Sequence, residues 1–276
     1  MKNLSIINNF QRQMNIDSSI NLSCSMLFES LCKDSHNKLK QEGFLIIKDA
    51  VSTSLLIEIR NFWLNLKRKK VLHSNLLYGE ENYSKNFFGK YIRHFDFYWN
   101  EPTHKITRDL SLTLHMYRNI LIGEDPFSGL VLNTSKLTLY QAVTHYPIGT
   151  GEMAAHIDPN SILPIHFNLP LSNIGSDYEL GGLYVIKSER KINIDKKMNL
   201  GDLLLFNGGV PHGIDNITGS GSKTSIGRLQ MFGVPFIMGS RKKSILHDIS
   251  NEIYGRYKYA NYSFGVGFRD DFKNFR

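Results

Sequence analysis

The sequence predicts an α+β protein with a mainly β core, a double-stranded β-helix or jelly roll that follows a set of N-terminal helices. From about residue 136 onward, short runs of strand-forming residues alternate with turn residues, and no helical pattern separates them. The glycine pairs Gly181-Gly182 and Gly208-Gly209 fall at joints in this pattern, which favours antiparallel pairing with sharp corners. The candidate strands are 136–146, 151–158, 162–171, 178–188, 192–197, 201–207, 212–217 and 225–236. A series of this length is typical of a cupin-like jelly roll.

Helical patterns dominate the part of the chain that precedes these strands. Residues 24–42 carry a loosely periodic apolar stripe, and the short apolar run Phe44–Ile47 that follows is predicted to be a strand. An amphipathic helix is predicted over 55–66, and another helix fits 106–122. Between these helices, 73–105 is aromatic, polar and irregular, so we expect a long ordered loop or a lid there.

The chain is predicted to form a single domain over 1–276, because no repeat, low-complexity segment or flexible linker divides it. Within it we expect a helical N-terminal lobe over 1–130, which includes the lid-like segment 73–105, and a jelly-roll core over 131–240. The last part, 241–276, is basic and aromatic. A helix near 243–258 and a tail are expected there, and this segment is a candidate homodimer contact.

The composition is that of a soluble globular protein, with 41% hydrophobic and 21% charged residues among 276. No apolar run is long enough for a signal peptide or a membrane span, so the expected location is the cytoplasm and no membrane partner is expected. Cys24 and Cys32 cannot build a disulfide framework and lack the spacing of a metal site. We expect both to pack as small apolar residues.

The net charge of +8 makes an anionic partner worth considering. The basic run at 67–70 is compatible with a nucleic-acid contact or a targeting address, and equally with a solvated helix C-terminus. Aromatic residues are not interleaved with these cations, as a base-stacking surface requires. The helix terminus is therefore favoured, and nucleic acid is not an expected partner.

A set of metal-binding side chains lies within the strand-rich part. His156 and Asp158 are separated by one residue, so on a strand both project from the same face. A second histidine, His212, begins a later predicted strand. Two imidazoles and one carboxylate on one face of a metal leave open coordination positions, the arrangement of non-haem iron(II) oxygenases. We predict that His156, Asp158 and His212 are metal ligands and catalytic residues.

This pattern resembles the iron(II)/2-oxoglutarate-dependent dioxygenase superfamily, whose HxD pair and distal histidine lie on jelly-roll strands. The resemblance covers roughly 136–236 by motif, and Gly43 to Trp63 is similar to the strand-then-helix entry of that superfamily. It implies iron(II) as the metal and 2-oxoglutarate as the cosubstrate, with hydroxylation, desaturation or ring closure at an unactivated C–H bond. In the halogenating members of this superfamily, a small residue replaces the carboxylate that binds the metal. The presence of Asp158 therefore argues against halogenation.

The resemblance also implies a cationic anchor for the distal carboxylate of 2-oxoglutarate on the strand after the distal histidine. Arg228 has this place, and a guanidinium grips a carboxylate through two parallel hydrogen bonds. The alternative is an arginine paired with an acidic residue inside the barrel mouth. Many members have Arg-x-Ser here, whereas this chain has Gln230 in place of the serine, and the gap after His212 is longer.

Tyr146 is the second candidate for binding the cosubstrate. Its His-Tyr-Pro segment is similar to the Asn-x-Tyr-Pro stretch of the branch that includes isopenicillin N synthase and plant oxygenases, with Thr144 in place of the asparagine. In that branch the tyrosine contacts the cosubstrate carboxylate. The alternative is an aromatic side chain that fills the barrel, and a buried tyrosine needs a partner for its hydroxyl in both cases.

Further polar residues are candidates for substrate contacts. His166 and Asn168 share one face of their predicted strand and would line the substrate cavity, although a satisfied core histidine is an equally physical interpretation of His166. Arg93 and His94, in the lid-like segment, would bind substrate from the N-terminal lobe. His145 points to the opposite face from its neighbour on a regular strand, so it is expected to be structural.

The function predicted from the sequence is therefore an iron(II)- and 2-oxoglutarate-dependent oxygenase, a hydroxylase in the simplest case. Its expected substrate is a small molecule such as an amino acid or a biosynthetic intermediate, because the chain has a lid-like segment and no separate recognition domain. One alternative is an oxygenase that modifies protein or nucleic acid, which the charge of +8 would suit. A non-catalytic jelly-roll binding protein is the least expected alternative.

Overall fold

A computed structural model gives the coordinates of the chain. It describes residues 8–9, 11–13, 16, 20, 35–65, 93–98, 104–130, 137–149, 151–158, 165–219 and 226–237. Three helices are described at length: α1 (Ser35–Glu42), α2 (Thr53–Asn65) and α3 (Lys105–Leu121). The strands are β1 (Phe44–Ile47), β2 (Arg93–Tyr98), β3 (Leu137–Tyr146), β4 (Met153–His156), β5 (Ile165–Pro170), β6 (Leu180–Lys187), β7 (Arg190–Asn193), β8 (Leu203–Asn207), β9 (His212–Thr218) and β10 (Arg228–Ile237). A short 3₁₀ turn at Asp195–Lys197 follows β7.

The strands form two antiparallel sheets. The larger sheet has the order β1-β8-β5-β10-β3-β2, and the smaller has the order β4-β9-β6-β7. Their inner faces share one apolar cluster, with Leu204 and Phe206 from the larger sheet and Leu183, Val185 and Ile214 from the smaller. Two sheets packed face to face in this order confirm the predicted jelly roll.

The outer face of the larger sheet is covered by helices. Leu203 and Leu205 of β8 belong to a second apolar cluster with Trp63 of α2 and Tyr117 of α3. Because successive side chains of a strand point to opposite faces, β8 contributes alternately to the two clusters. Burial on both faces explains why this strand is a continuous apolar run rather than an alternating one. The Trp63 indole donates a hydrogen bond to Thr107, 2.9 Å away, and so ties α2 to α3.

Most predicted elements are present with shifts of a few residues at their ends, and two differ. The run 192–197 was expected to be one strand, but β7 ends at Asn193 and the chain turns at 195–197. The turn brings the Asp195 carboxylate inside the barrel, where it accepts a hydrogen bond from the Leu183 backbone N–H at 3.0 Å. The segment 73–105, expected to be irregular, contains β2, which extends the larger sheet by pairing with β3.

The N-terminal part also supplies β1, which pairs with β8, so the first 130 residues contribute strands to the sheet as well as helices. The division into lobe, core and tail stays a prediction. Several predicted features lie outside the described residues: Cys24, Cys32, the basic run 67–70 and the helix near 243–258. In the described part of the chain, no helix combines the length and apolar character needed to cross a membrane.

Candidate metal centre and cosubstrate site

The three predicted metal ligands lie together at one edge of the smaller sheet. His156 ends β4 and His212 begins β9, and the antiparallel register places the two histidines directly opposite each other. Asp158 follows β4, and its carboxylate oxygens lie 3.7 Å from His156 Nε2 and 3.6 Å from His212 Nε2. One ligand atom from each residue lies within 4.8 Å of the others. These three residues, here called the metal-ligand group, are thus brought together as the sequence predicted.

Hydrogen bonds to the backbone determine which nitrogen of each imidazole faces the centre of this group. His156 Nδ1 donates to the carbonyl of Ala154 at 3.0 Å, and His212 Nδ1 donates to the carbonyl of Val210 at 2.9 Å. A carbonyl only accepts, so each proton lies on Nδ1 and each Nε2 presents a lone pair. Burial lowers the pKa of His212, and the hydrogen bond to Val210 opposes that shift in part. The neutral imidazole that a metal requires is therefore favoured.

Gly208 provides the space that the Asp158 carboxylate occupies. The Asp158 backbone N–H donates to the Gly208 carbonyl at 2.9 Å, which holds the two segments together. A Cβ atom at position 208 would lie 2.4 Å from Asp158 Oδ2 and 2.8 Å from the ring of His166. A side chain at this position would require Asp158 or His166 to shift, so the glycine that was predicted as a joint between strands also leaves space for the site.

His166 lies beside this group. Its side chain is buried, and Nδ1 is 3.4 Å from Asp158 Oδ2. The ring packs edge-to-face on Phe206, whose own ring packs in the same manner on His212. The sequence left open whether His166 lines the cavity or belongs to the core, and its role stays a prediction.

Arg228 lies at the start of β10, directly opposite Tyr146 of β3. Only 2% of its surface is exposed, and Asp195 binds it through two hydrogen bonds, from Nε at 2.5 Å and from Nη2 at 3.1 Å. Burial opposes the charge of Arg228, yet the ion pair with Asp195 raises its pKa above the usual value. The acidic partner that the sequence offered as an alternative is therefore present. Whether Arg228 also binds a cosubstrate stays a prediction.

Asp195 was missed by the sequence analysis, although it is buried and accepts hydrogen bonds from three residues. Besides Arg228 and Leu183, it accepts a hydrogen bond from the Tyr178 hydroxyl at 2.7 Å. A Cβ atom at Gly182, which has φ of 100°, would lie 2.3 Å from Asp195 Oδ2. One signal was available in the sequence, because a buried arginine requires a nearby anion. The pairing itself joins a turn after β7 to the start of β10 and leaves no local pattern.

Two amides extend this network along the larger sheet. Arg228 Nη1 donates to Gln230 Oε1, and Asn168 Nδ2 donates to the same oxygen at 2.6 Å. Because a guanidinium only donates, it determines that the Gln230 oxygen faces Arg228 and that the NH₂ group points elsewhere. Tyr178, Asp195, Arg228, Gln230 and Asn168 are here called the anchor network. Three of the five N–H groups of Arg228 are occupied within it.

Tyr146 completes this part of the interior. The Arg228 guanidinium lies 5.7 Å from the centre of its ring, and the residue is only 2% exposed. Burial raises the pKa of Tyr146 to about 12, while the charge of Arg228 opposes the shift, so the hydroxyl stays protonated at neutral pH. Among the described residues this hydroxyl has no hydrogen-bond partner.

The candidate substrate residues of β2 are placed only by their backbone register. Arg93 pairs with His145 and His94 pairs with Thr144, on the strand that ends at Tyr146. Their part in substrate binding stays a prediction. His145 itself lies within 2.6 Å of the Ile226 carbonyl, to which it donates from Nε2.

No model of a protein family matches this chain, and no curated protein matches its sequence. Solved structures do match its fold. A non-haem α-ketoglutarate-dependent carbocyclase, SnoK from nogalamycin biosynthesis, has a TM-score of 0.52 at 12% identity and covers 80% of this chain and 92% of its own. EctD from S. alaskensis, with 2-oxoglutarate and 5-hydroxyectoine, has a TM-score of 0.52 at 14% identity and covers 77% and 81%.

A third match is a prolyl hydroxylase from Trichoplax adhaerens in complex with a peptide of hypoxia inducible factor. Its TM-score is 0.50 at 20% identity, and the match covers 82% of this chain and 92% of that one. At these identities the comparison concerns the fold. This chain therefore has the jelly-roll fold of iron(II)/2-oxoglutarate-dependent oxygenases.

Proposed function

We propose that the protein is an iron(II)- and 2-oxoglutarate-dependent oxygenase that hydroxylates, desaturates or cyclises a small molecule at an unactivated C–H bond. The observation that carries this proposal is the metal-ligand group, in which two Nε2 lone pairs and one carboxylate converge within 4.8 Å. The match to oxygenase structures supports the proposal, because those proteins share the jelly-roll fold in which this chain holds its metal-ligand group.

The donor set fits iron(II). Two neutral imidazoles and one carboxylate bind on one face of the ion and leave the opposite positions open for a chelating keto acid and dioxygen. Side chains that present lone pairs to one another in the absence of an ion are stabilised when an ion binds between them. The space at Gly208 and the two Nδ1 hydrogen bonds hold the ligands in that orientation.

Arg228 and Tyr146 are the proposed contacts of the distal carboxylate of 2-oxoglutarate. They face each other across β10 and β3, and both a protonated phenol and the remaining guanidinium N–H groups can donate to a carboxylate. Tyr146 and Phe206 belong to one cluster between the sheets, and Phe206 also packs on His212. A keto acid bound there can therefore extend from the anchor network toward the metal-ligand group.

When bound, the metal and cosubstrate would supply the oxidation: dioxygen would convert 2-oxoglutarate to succinate and carbon dioxide, and its second oxygen atom would end as a hydroxyl group on the substrate carbon or, when the substrate is desaturated or cyclised, as water formed with two substrate hydrogens. The chain binds and orients the partners. His156, His212 and Asp158 hold the ion, Arg228 and Tyr146 orient the keto acid, and the apolar walls between the sheets exclude water.

Two observations bear on the substrate. EctD and SnoK act in small-molecule chemistry by their names and bound ligand, which supports the small-molecule proposal. The prolyl hydroxylase match and the net charge of +8 favour, as a second candidate, the modification of an acidic polypeptide. A non-catalytic jelly roll is disfavoured, because without a bound metal it gives no reason for two imidazole lone pairs and a carboxylate to converge.

The test is succinate formation from 2-oxoglutarate by the purified, iron-loaded protein in air, with a panel of amino acids, small metabolites and acidic peptides. We expect succinate to depend on iron and to rise with a matching substrate. Asp158→Ala should abolish it. Asp215→Ala, a surface aspartate of β9 paired with Lys191, is the matched control and should retain it. Absence of succinate across the panel, with iron bound, would contradict the proposal.

A further inference from the structure

His166 contacts the metal-ligand group without belonging to it. Its Nδ1 lies 3.4 Å from Asp158 Oδ2, whereas Asp158 Oδ1 lies toward His156 Nε2, at 3.7 Å. Only 4% of the His166 side chain is exposed, so it offers little surface to a substrate. Asp158 Oδ1 is therefore the oxygen nearest His156, whereas Oδ2 lies between His166 Nδ1 at 3.4 Å and His212 Nε2 at 3.6 Å.

Three imidazoles surround the Asp158 carboxylate within the described residues, and they differ in what they can offer it. His156 and His212 carry their protons on Nδ1, bonded to carbonyls, so the nitrogens nearest Asp158 present lone pairs. A lone pair cannot donate to a carboxylate oxygen. His166 turns its Nδ1 toward Oδ2, and a neutral imidazole with its proton on that atom is a donor.

The position of the His166 ring is fixed by its surroundings. Its backbone pairs with Phe206 in the β5–β8 register, and the Phe206 ring packs on it edge-to-face at 4.9 Å. The absence of a side chain at Gly208 leaves room for both the imidazole and the carboxylate, because a Cβ there would touch both. A ring held in this way can fix the rotation of the carboxylate beside it.

We propose that His166 is a positioning residue, which donates from Nδ1 to Asp158 Oδ2 and so holds Oδ1 toward the metal. The proposal rests on the proposed iron site and adds a residue to it. Outer partners of metal ligands commonly change metal affinity by about 10- to 100-fold when they are removed. Substrate lining, the other role considered for His166, does not predict any effect on metal affinity.

The experiment compares His166→Asn with His166→Leu in the full chain. The two side chains have nearly the same shape, and the asparagine NH₂ group can take the place of the Nδ1–H donor, whereas leucine has no donor. The dissociation constant of cobalt(II), followed by its visible absorption, is measured for each variant and for the wild type. Affinity for 2-oxoglutarate and the thermal unfolding midpoint are measured on the same samples.

We expect His166→Asn to bind cobalt(II) within about threefold of the wild type, and His166→Leu to bind it about 10- to 100-fold more weakly. Equal affinities of the two variants, whether unchanged or equally weakened, would overturn the proposal and leave the iron site intact. If His166→Leu fails to fold, His166→Met takes its place under the same criterion. A wild type that binds no cobalt(II) or iron(II) would instead remove the proposed function itself.

Discussion

The metal-ligand group and the anchor network occupy the same interior but satisfy their polar atoms in opposite ways. In the metal-ligand group, lone pairs of His156 and His212 face a carboxylate across 3.6 to 3.7 Å, so the three side chains lack a mutual donor. In the anchor network, Asp195 accepts from three residues, and Arg228 donates from three nitrogen atoms, two of them to Asp195. The first arrangement is suited to an ion between the three side chains, whereas the second pairs its charges within the protein.

We therefore expect the metal-ligand group to serve mainly metal binding, and the anchor network to stabilise the fold as well. A metal ligand is expected to be replaced at a smaller cost in the stability of the metal-free protein, while its loss removes metal binding. A buried charge that is fully paired is replaced only at a large cost, because its partner is left unpaired in a medium of low polarity. The two groups should therefore respond to substitution in different experiments.

The largest expected effect is that of Asp158→Ala on metal binding. We expect at least about a hundredfold loss of affinity for iron(II), since a ligand matters more than its outer partners. In the metal-free protein we expect the free energy of unfolding to change by no more than about 1 kcal/mol. Metal titration and urea unfolding of the metal-free protein measure the two effects. A loss of stability above about 3 kcal/mol would show that Asp158 also supports the fold.

Asp195→Ala should have the opposite profile. It leaves Arg228 buried and without its anion, so we expect the free energy of unfolding to fall by about 3 to 5 kcal/mol. Replacing both charges, as Asp195→Leu with Arg228→Met, should recover most of that loss and abolish binding of 2-oxoglutarate. Urea unfolding and calorimetry of cosubstrate binding are the measurements.

The surface pair Lys191 and Asp215 is the control for this prediction, because both side chains are largely solvated. Removing this surface ion pair should change the free energy of unfolding by no more than about 1 kcal/mol. A double variant of Asp195 and Arg228 that stays as unstable as Asp195→Ala would contradict the account of the anchor network as a self-sufficient ion pair.

A smaller effect is expected from the glycine at position 208. Gly208→Ala places a Cβ 2.4 Å from Asp158 Oδ2, so the carboxylate must rotate away from the metal. We expect about tenfold weaker metal binding. Gly209→Ala is the matched control, since its Cβ would approach only Asn207 Oδ1, at 3.0 Å. Equal metal affinities of the two alanine variants would contradict the role given to Gly208.

The smallest expected effect is on the stability of the protein at alkaline pH. Tyr146 has a folded-state pKa of about 12, raised by burial against the opposing charge of Arg228, and an unfolded value near 10. The protonated hydroxyl therefore contributes stability that is fully present below about pH 10 and is lost as pH rises toward 12. The unfolding midpoint of Tyr146→Phe should fall less between pH 9 and 11 than that of the wild type. Parallel curves for the two proteins would contradict the burial of an intact hydroxyl.

The sequence could predict the metal-ligand group because its information is local. The HxD spacing places Asp158 just beyond the end of β4, close to His156, and the jelly-roll pattern brings the strand of His212 beside them. The strands β8 and β10 could also be predicted from the sequence. These features depend on the local order of apolar, polar and turn residues along the chain, which a single sequence displays.

The anchor partner and β2 could not be predicted in the same way. Asp195 meets Arg228 only after β7 stops and the chain turns inward, and no pattern in the sequence of 192–197 marks that turn. The alternation in Arg93–Tyr98 was obscured by its aromatic neighbours, and its assignment as a strand depends on the free edge of β3. A contact of this kind depends on which edge strands of the sheet the rest of the chain leaves unpaired. It is therefore determined by the whole tertiary structure and not by the local sequence.

The central claim is that His156, Asp158 and His212 bind one iron(II) ion. The most direct measurement is anomalous scattering at the iron edge from crystals grown with iron(II) and 2-oxoglutarate without oxygen. The account predicts one iron bound by both Nε2 atoms and by one oxygen of Asp158, with the keto acid extending to Arg228. Iron bound elsewhere in the crystal, with these three side chains uncoordinated, would contradict it.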